Sequence, residues 1–280
     1  MDKTKMVNQI KKFEEYLIVD QGLSKTTVGG YCRAMSIAMR RMRKFVPQYD
    51  DVKKHMLWMH EKEYSYSHIV NTSLAIEQFA RFKGIDIKLG RPRKPKRVVQ
   101  DILTESEVSR LIQATRGVRE RAIICLLAYS GIRNSELCSL KLQDINLGDN
   151  YITVKGGKNN KDRRINIASE CTKILIEYLS HYKRDQESYL FTTVKHNHQL
   201  ATCDTRKMIR ILAKRANIGR RVFPHLFRHS LATNLLNRGA SLIMIKNQLG
   251  HAFIESTMIY ATSMPFRTKS EYDYFKPAYM

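Results

Sequence analysis

The segment FPHLFRHSLATNLL, residues 223–236, brings two histidines and an arginine within five residues. On a helix, at 100° per residue, His225, Arg228 and His229 share an arc of about 100° beside an apolar stripe of Phe227, Leu231 and Leu235. Pro224 suits the first turn of such a helix, where its missing N–H costs nothing. The polar arc could be a solvated face, a metal site or an anion site. His225 and His229 have the i, i+4 spacing of a zinc helix, but the glutamate of H-E-x-x-H is missing and Arg228 would set a fixed cation beside the metal. An anion site needs no such exception, because arginine and histidine together grip a phosphate.

Charge favours the anion. The chain has 280 residues, with 49 Lys+Arg against 26 Asp+Glu, a formal charge of +23 and a pI of about 9.9. Residues 1–100 hold 21 basic and 10 acidic side chains and residues 101–280 hold 28 and 16, so the excess runs the whole length. A chain basic throughout points to a polyanion, most simply nucleic acid. The five cysteines Cys32, Cys125, Cys138, Cys171 and Cys203 are far apart and form no C-x-x-C pair. That pattern argues against a disulfide framework and a zinc knuckle and suits a reducing compartment. The charged start MDKTKMVNQIKKFEEYL and the absence of any long apolar run give no signal peptide and no membrane span, so a cytoplasmic protein without a membrane partner is expected.

The elements that must position these residues fall into two groups. Residues 1–87 read as about four helices: Met6, Ile10, Phe13 and Leu17 form one stripe, Ser24 caps a second helix, and 51–60 and 67–82 carry two more helical patterns. KLGRPRKPKR, residues 88–97, has six basic residues and two prolines and reads as an extended basic linker, assigned to 88–100. A second domain, 101–280, opens at a Thr104/Glu107 capping box. An apolar helix ends near Gly131, a β-hairpin is expected from 151–154 and 163–167 around a Gly/Asn/Lys turn, and helical patterns cover 168–183, 204–217, 224–238, 241–249 and 254–262. The fold class is therefore mainly α with a small antiparallel β-sheet.

In this order the segments resemble the tyrosine recombinase family, the phage integrase and Xer-like enzymes. SGIRNSEL is similar to the segment carrying the family's first catalytic arginine, here Arg133. VKGGKNNKDRRI resembles its β-hairpin, with the catalytic lysine on Lys158. PHLFRHSLATNLL resembles the H-x-x-R box, His225 and Arg228; LGH gives His251, and STMIYAT gives Tyr260 nine positions later. The resemblance implies a SAM-like helical core-binding domain over 1–87 and an α+β catalytic domain over 101–280 with a C-terminal tail, 261–280, that docks in cis or onto a neighbouring protomer. It also implies a site-specific recombinase or integrase that cleaves and rejoins double-stranded DNA at specific sites through a 3′-phosphotyrosine. The enzyme would be a monomer or weak oligomer when free and a homotetramer on paired sites that form a Holliday junction.

On that resemblance Arg133, His225 and Arg228 hold the scissile phosphate, Tyr260 attacks it, His225 takes the phenol proton, His251 helps position the phosphate and Lys158 protonates the departing 5′ oxygen. Two arginine forks can stabilise the added transition-state charge without a metal. With no clustered acidic triad suited to Mg²⁺, neither metal nor other cofactor is expected. Arg91, Arg93, Lys94, Lys96 and Arg97 would lie along a DNA backbone. Lys155 and Lys161 rival Lys158, because GGKNNK departs from the commoner G-K-G spacing. Tyr272, Tyr274 and Tyr279 rival Tyr260 but lack its spacing to His251. Glu136, one turn from Arg133, reads as a support or as a partner that would make Arg133 structural. His229 reads as a satisfied buried residue, and His196 and His198 as loop residues. A topoisomerase IB-like relaxing enzyme and a catalytically silent DNA-binding protein of the same fold are the alternative functions.

Overall fold

Helices begin where a side chain can take an otherwise orphaned backbone N–H. In the computed structural model, which describes residues 2–95, 102–155, 162–181, 185–193 and 198–250, Asp2 caps α1 (Lys3–Val19) and Ser24 caps α2 (Lys25–Met42). Gln48 precedes α3 (Tyr49–Glu61), and Ser65 caps α4 (Tyr66–Phe82). The chain divides into two compact units, Met1–Val98 and Val99–Met280.

The first unit buries Phe13, Leu17, Met35, Met39, Ile76 and Phe79 between its helices. Phe13 and Phe79 meet edge to face with ring centroids 5.1 Å apart, an arrangement that suits the ring quadrupoles. Beyond α4 the chain does not leave at once as a linker. Ile87 is buried and Leu89 packs on the same core. Glu77 on α4 accepts the Leu89 N–H at 2.8 Å and both Arg91 nitrogens at 3.1 and 2.6 Å. The basic stretch expected to be extended from residue 88 is thus tied down as far as Arg91, because a half-buried carboxylate requires the cation.

The second unit opens with α5 (Glu105–Gln113), whose Thr104 and Glu107 exchange backbone N–H bonds at 2.8 and 3.1 Å. Helix α6 (Val118–Ser130) buries every residue from Ala122 to Leu127. An element apolar all round belongs at the centre, and α6 packs against both α8 (Ser169–Ser180) and α10 (Pro224–Asn237). Between them lie α7 (Asn134–Ser139), a 3₁₀ turn (Leu142–Asp144) and an antiparallel sheet of β1 (Ile145–Asn146), β2 (Tyr151–Val154) and β3 (Arg163–Asn166), in that order. Ile152 pairs with both Ile145 and Ile165, which sets buried Ile152 and Ile165 on the core face. The hairpin was expected from alternation; β1 was not, since two residues carry no period. Helices α9 (Thr202–Arg215) and α11 (Leu242–Leu249) complete the described elements, with α11 against α10 and β3. The helical pattern at 254–262 and the tail 261–280 lie outside the described residues.

Two glycines fix how the ends of α6 and α11 meet α10. Gly131 ends α6 at φ +65°, and a Cβ there would stand 2.7 Å from Leu249 and 3.0 Å from Leu231. Gly250 ends α11 at φ +63°, and a methyl group there would overlap Cδ and Nε of Arg163. Both positions need the left-handed conformation and the space that only glycine leaves.

The first unit carries its own pH dependence. His55 is 3 % exposed with no hydrogen-bond partner on Nδ1 among the described residues. Burial, then Arg41 and His68, push its pKa down to about 4. Between that value and the ordinary one near 6.5 the unfolded chain binds more protons, so stability falls as pH drops through this window, by about 3 kcal/mol in all. Trp58, the single tryptophan, lies 5.8 Å from the His55 ring and 4.0 Å from the Arg41 guanidinium, so its fluorescence reports this unit. The urea midpoint followed at Trp58 should fall between pH 7 and 4, and His55→Leu should flatten that dependence. Equal slopes for the two proteins would assign the acid sensitivity to other groups.

Candidate active site

Arg133 stands at the N-terminal cap of α7 in extended conformation. Glu136, three residues on, accepts both the Arg133 backbone N–H (2.9 Å) and its Nη1 (2.8 Å). The same carboxylate receives Arg163 from β3 through two parallel bonds, Nη1 to Oε1 at 3.0 Å and Nη2 to Oε2 at 2.7 Å. Burial alone would raise the Glu136 pKa, but the hydrogen bonds of Arg163 and then Arg133 outweigh it and hold it at about 2. Glu136 is therefore an anion at any working pH. The second Nη of Arg133 reaches past it to the carbonyl of Gly250 at 3.2 Å.

Arg228 approaches the same place from α10. It is 1 % exposed, and its Nη1 and Nη2 donate to Gly131 O (2.7 Å) and Leu249 O (2.6 Å). These are terminal carbonyls of α6 and α11, which lack intrahelical partners and sit at the negative ends of their helix dipoles. One guanidinium thus satisfies two helix ends, which explains how so large a cation tolerates burial. The two arginines take the carbonyls of adjacent residues, Leu249 and Gly250, at the end of α11.

His225 lies one turn before Arg228, on the first turn of α10, with part of its ring open to solvent. Partial burial, then Arg228 and Arg133, lower its pKa. It is neutral near pH 7 and can accept a proton. His229 is partly exposed rather than buried, its pKa lowered by burial and by His225. Among the described residues no group of three or more His, Cys, Asp or Glu is arranged to hold a metal ion, so the His225/His229 pair finds no further ligand there.

The structure therefore brings Arg133, His225 and Arg228 together. Lys158, His251 and Tyr260 lie outside the described residues, as do Lys96, Arg97, Lys161, His196, Tyr272, Tyr274 and Tyr279. His198, a loop residue as expected, donates its N–H to Thr193. Lys155, a rival for the catalytic lysine, is paired with Asp144 at 2.7 Å, and that hydrogen bond raises its pKa. A lysine held charged by its own carboxylate is a poor proton donor. Arg93 and Lys94 are exposed, whereas Arg91 is occupied by Glu77 as described above.

Arg163 was not anticipated. Strand alternation carried a signal: Arg163 shares a face with buried Ile165, while Arg164 lies over the Tyr151 ring at 4.7 Å. An arginine on the core face of a strand requires an anion, and Glu136 supplies it.

Comparison with known proteins identifies the family. Residues 101–265 match the phage integrase family. The tyrosine recombinase XerA of Pyrococcus furiosus is 32 % identical over 265 residues, covering 92 % of this chain and 91 % of the relative. XerD of Halalkalibacterium halodurans is 29 % identical, covering 96 % and 98 %. Among solved structures, a crystal structure of XerA recombinase shares 30 % identity with a TM-score of 0.56 over 97 % of this chain and all of the other. The Tn1549 transposon integrase in complex with circular intermediate DNA has a TM-score of 0.74 at 21 % identity, over 95 % and 99 %, which is a likeness of fold. Matched over more than half its length by the family and over nearly all of it by XerA, the chain belongs to the phage integrase family and is a tyrosine-type site-specific DNA recombinase.

Proposed function

We propose that this recombinase breaks and reseals DNA through a covalent 3′-phosphotyrosine on Tyr260. The observation that supports it is the meeting of Arg133, Arg228 and neutral His225 at the carbonyl end of α11, immediately before His251. Two guanidinium groups there match a phosphodiester and the extra charge of its pentavalent transition state. The Tyr260 oxygen forms a bond to phosphorus while the bond to the 5′ oxygen breaks. The phenol proton passes to His225, and Lys158 delivers a proton to the departing 5′ oxygen; His251 helps hold the phosphate. Because the ester keeps the bond free energy, a 5′-hydroxyl from a second DNA reverses the step, and neither ATP nor a metal ion enters the scheme.

In the same reading the unit formed by residues 1–87 binds DNA as a core-binding domain, and four protomers assemble on two specific double-stranded sites to exchange strands in pairs. The chain is a monomer or weak oligomer without DNA, and the tail 261–280 docks between protomers.

Tyr260→Phe should retain DNA binding but form no covalent adduct on a nicked suicide duplex. A phosphotyrosine mapped to Tyr272, Tyr274 or Tyr279 would overturn the assignment, and supercoil relaxation by the wild type without specific sites would turn the reading towards a topoisomerase.

Lys158→Ala should lose roughly 10²–10⁴-fold in cleavage rate, as removal of a general acid does. A duplex with sulfur replacing the bridging 5′ oxygen should restore it, since a thiolate leaves without protonation, while Arg228→Ala should stay defective on that duplex. Rescue of Lys155→Ala or Lys161→Ala in its place would move the acid to another lysine.

Neutralising Arg93, Lys94, Lys96 and Arg97 should flatten the dependence of log K on log salt by about 0.9 for each phosphate no longer neutralised by the protein. Arg91→Gln should change the slope little, because Glu77 already neutralises that guanidinium. An unchanged slope for the fourfold variant would make the segment a spacer.

A further inference from the structure

Arg163 has no part in the scheme above, yet its side chain is 14 % exposed and lies against the residue that precedes His251. Its guanidinium takes both oxygens of Glu136 as a fork. Arg133 keeps one side-chain bond to that carboxylate, through Nη1, and turns Nη2 to Gly250 O. The contacts close a ring: Arg163 to Glu136, Glu136 to Arg133, Arg133 to Gly250, and Gly250 beside the Arg163 side chain. The ring joins β3, α7 and the end of α11.

Charge decides what the ring does. A carboxylate paired with Arg133 alone would form the same two-toothed bond with it, since planar forks match carboxylates best. That bond would cancel the charge of Arg133 and occupy two of its donors. A second guanidinium on the same carboxylate leaves the cluster with one net positive charge and confines Arg133 to a single tooth. Glycine at position 250 is what leaves room for the Arg163 side chain.

We propose that Arg163 is a positioning residue for strand cleavage: by occupying both oxygens of Glu136 it restrains that carboxylate from Arg133 and leaves the Arg133 guanidinium aimed and charged for the scissile phosphate. This rests on the phosphotyrosine reading above. In this role Arg163 acts through Arg133 and through the placement of Gly250.

The test is single-turnover cleavage of a nicked suicide duplex by the full chain, with Arg163→Met and Arg163→Lys each made alone and on Arg133→Ala. Arg163→Met should slow cleavage on the order of 10²-fold, the scale of losing one transition-state donor. DNA affinity should change by less than about threefold, so that the loss falls on the chemical step. On Arg133→Ala the same substitution should cost nothing further, the sign of two residues acting as one unit. Arg163→Lys keeps the charge without the fork and should lose about tenfold, coupled to Arg133 in the same way; it carries the test if the Met variant fails to fold. A wild-type rate for Arg163→Lys, losses that multiply with Arg133→Ala, or a loss matched by weaker DNA binding would each overturn the proposal. Failure of the wild type itself to form an adduct would instead fault the phosphotyrosine reading, so the two failures are distinct.

Discussion

A single carboxylate, that of Glu136, holds the candidate site in register. It faces two guanidinium groups and an amide N–H, and it is 14 % exposed. A buried anion in that position is stable only with its partners present, and removing either cation would leave uncompensated charge of the kind that costs roughly 3–5 kcal/mol. The constraint works in both directions. Glu136 fixes Arg133 at the start of α7 and Arg163 on β3, so a six-residue helix and a four-residue strand, neither with much core of its own, are locked to each other. The depressed pKa of Glu136 is the electrostatic signature of that lock. Its contribution to stability is complete above the ordinary glutamate range and is lost only as pH falls towards about 2.

Around this lock, helix ends do the rest. Gly131 and Gly250 terminate α6 and α11 in the left-handed conformation, which turns their last carbonyls inward. Those carbonyls would be unsatisfied in a dry interior, and here they receive Arg228 and Arg133. The arginines therefore serve the fold before they serve any ligand. A guanidinium carries five N–H groups, more than these carbonyls engage. Rigid carbonyl partners thereby fix where each guanidinium points.

Much of this was legible in the residues and some was not. The Thr104/Glu107 box, Pro224 in the first turn of α10, the end of α6 at Gly131 and the hairpin strands follow from local chemistry, because each is decided within a few residues. β1 was missed because it is two residues long and gains its place only by pairing with β2. Composition at 88–97 shows six cations but not that Glu77, fourteen residues before Arg91, claims one of them. Arg163 escaped for a related reason. Alternation sets Arg163 on the face of Ile165, but only the distant carboxylate of Glu136 shows what it does there.

Position and residue type together would make His225 a base in so cationic a protein. With part of its ring buried and two guanidinium groups nearby, the imidazole holds its proton weakly, so it is neutral before any substrate arrives. A phosphodiester bound between Arg133 and Arg228 would bring negative charge to the same point. That charge offsets the guanidinium groups and raises the proton affinity of the imidazole at the moment a phenol is set beside it. Burial and the arginines would thus keep His225 empty in the free protein, and phosphate would relieve the arginines' share. A lysine could not take this part, because its ordinary pKa near 10.4 would leave it protonated and unable to accept. A carboxylate could not either, since its negative charge would repel the phosphate that it must approach.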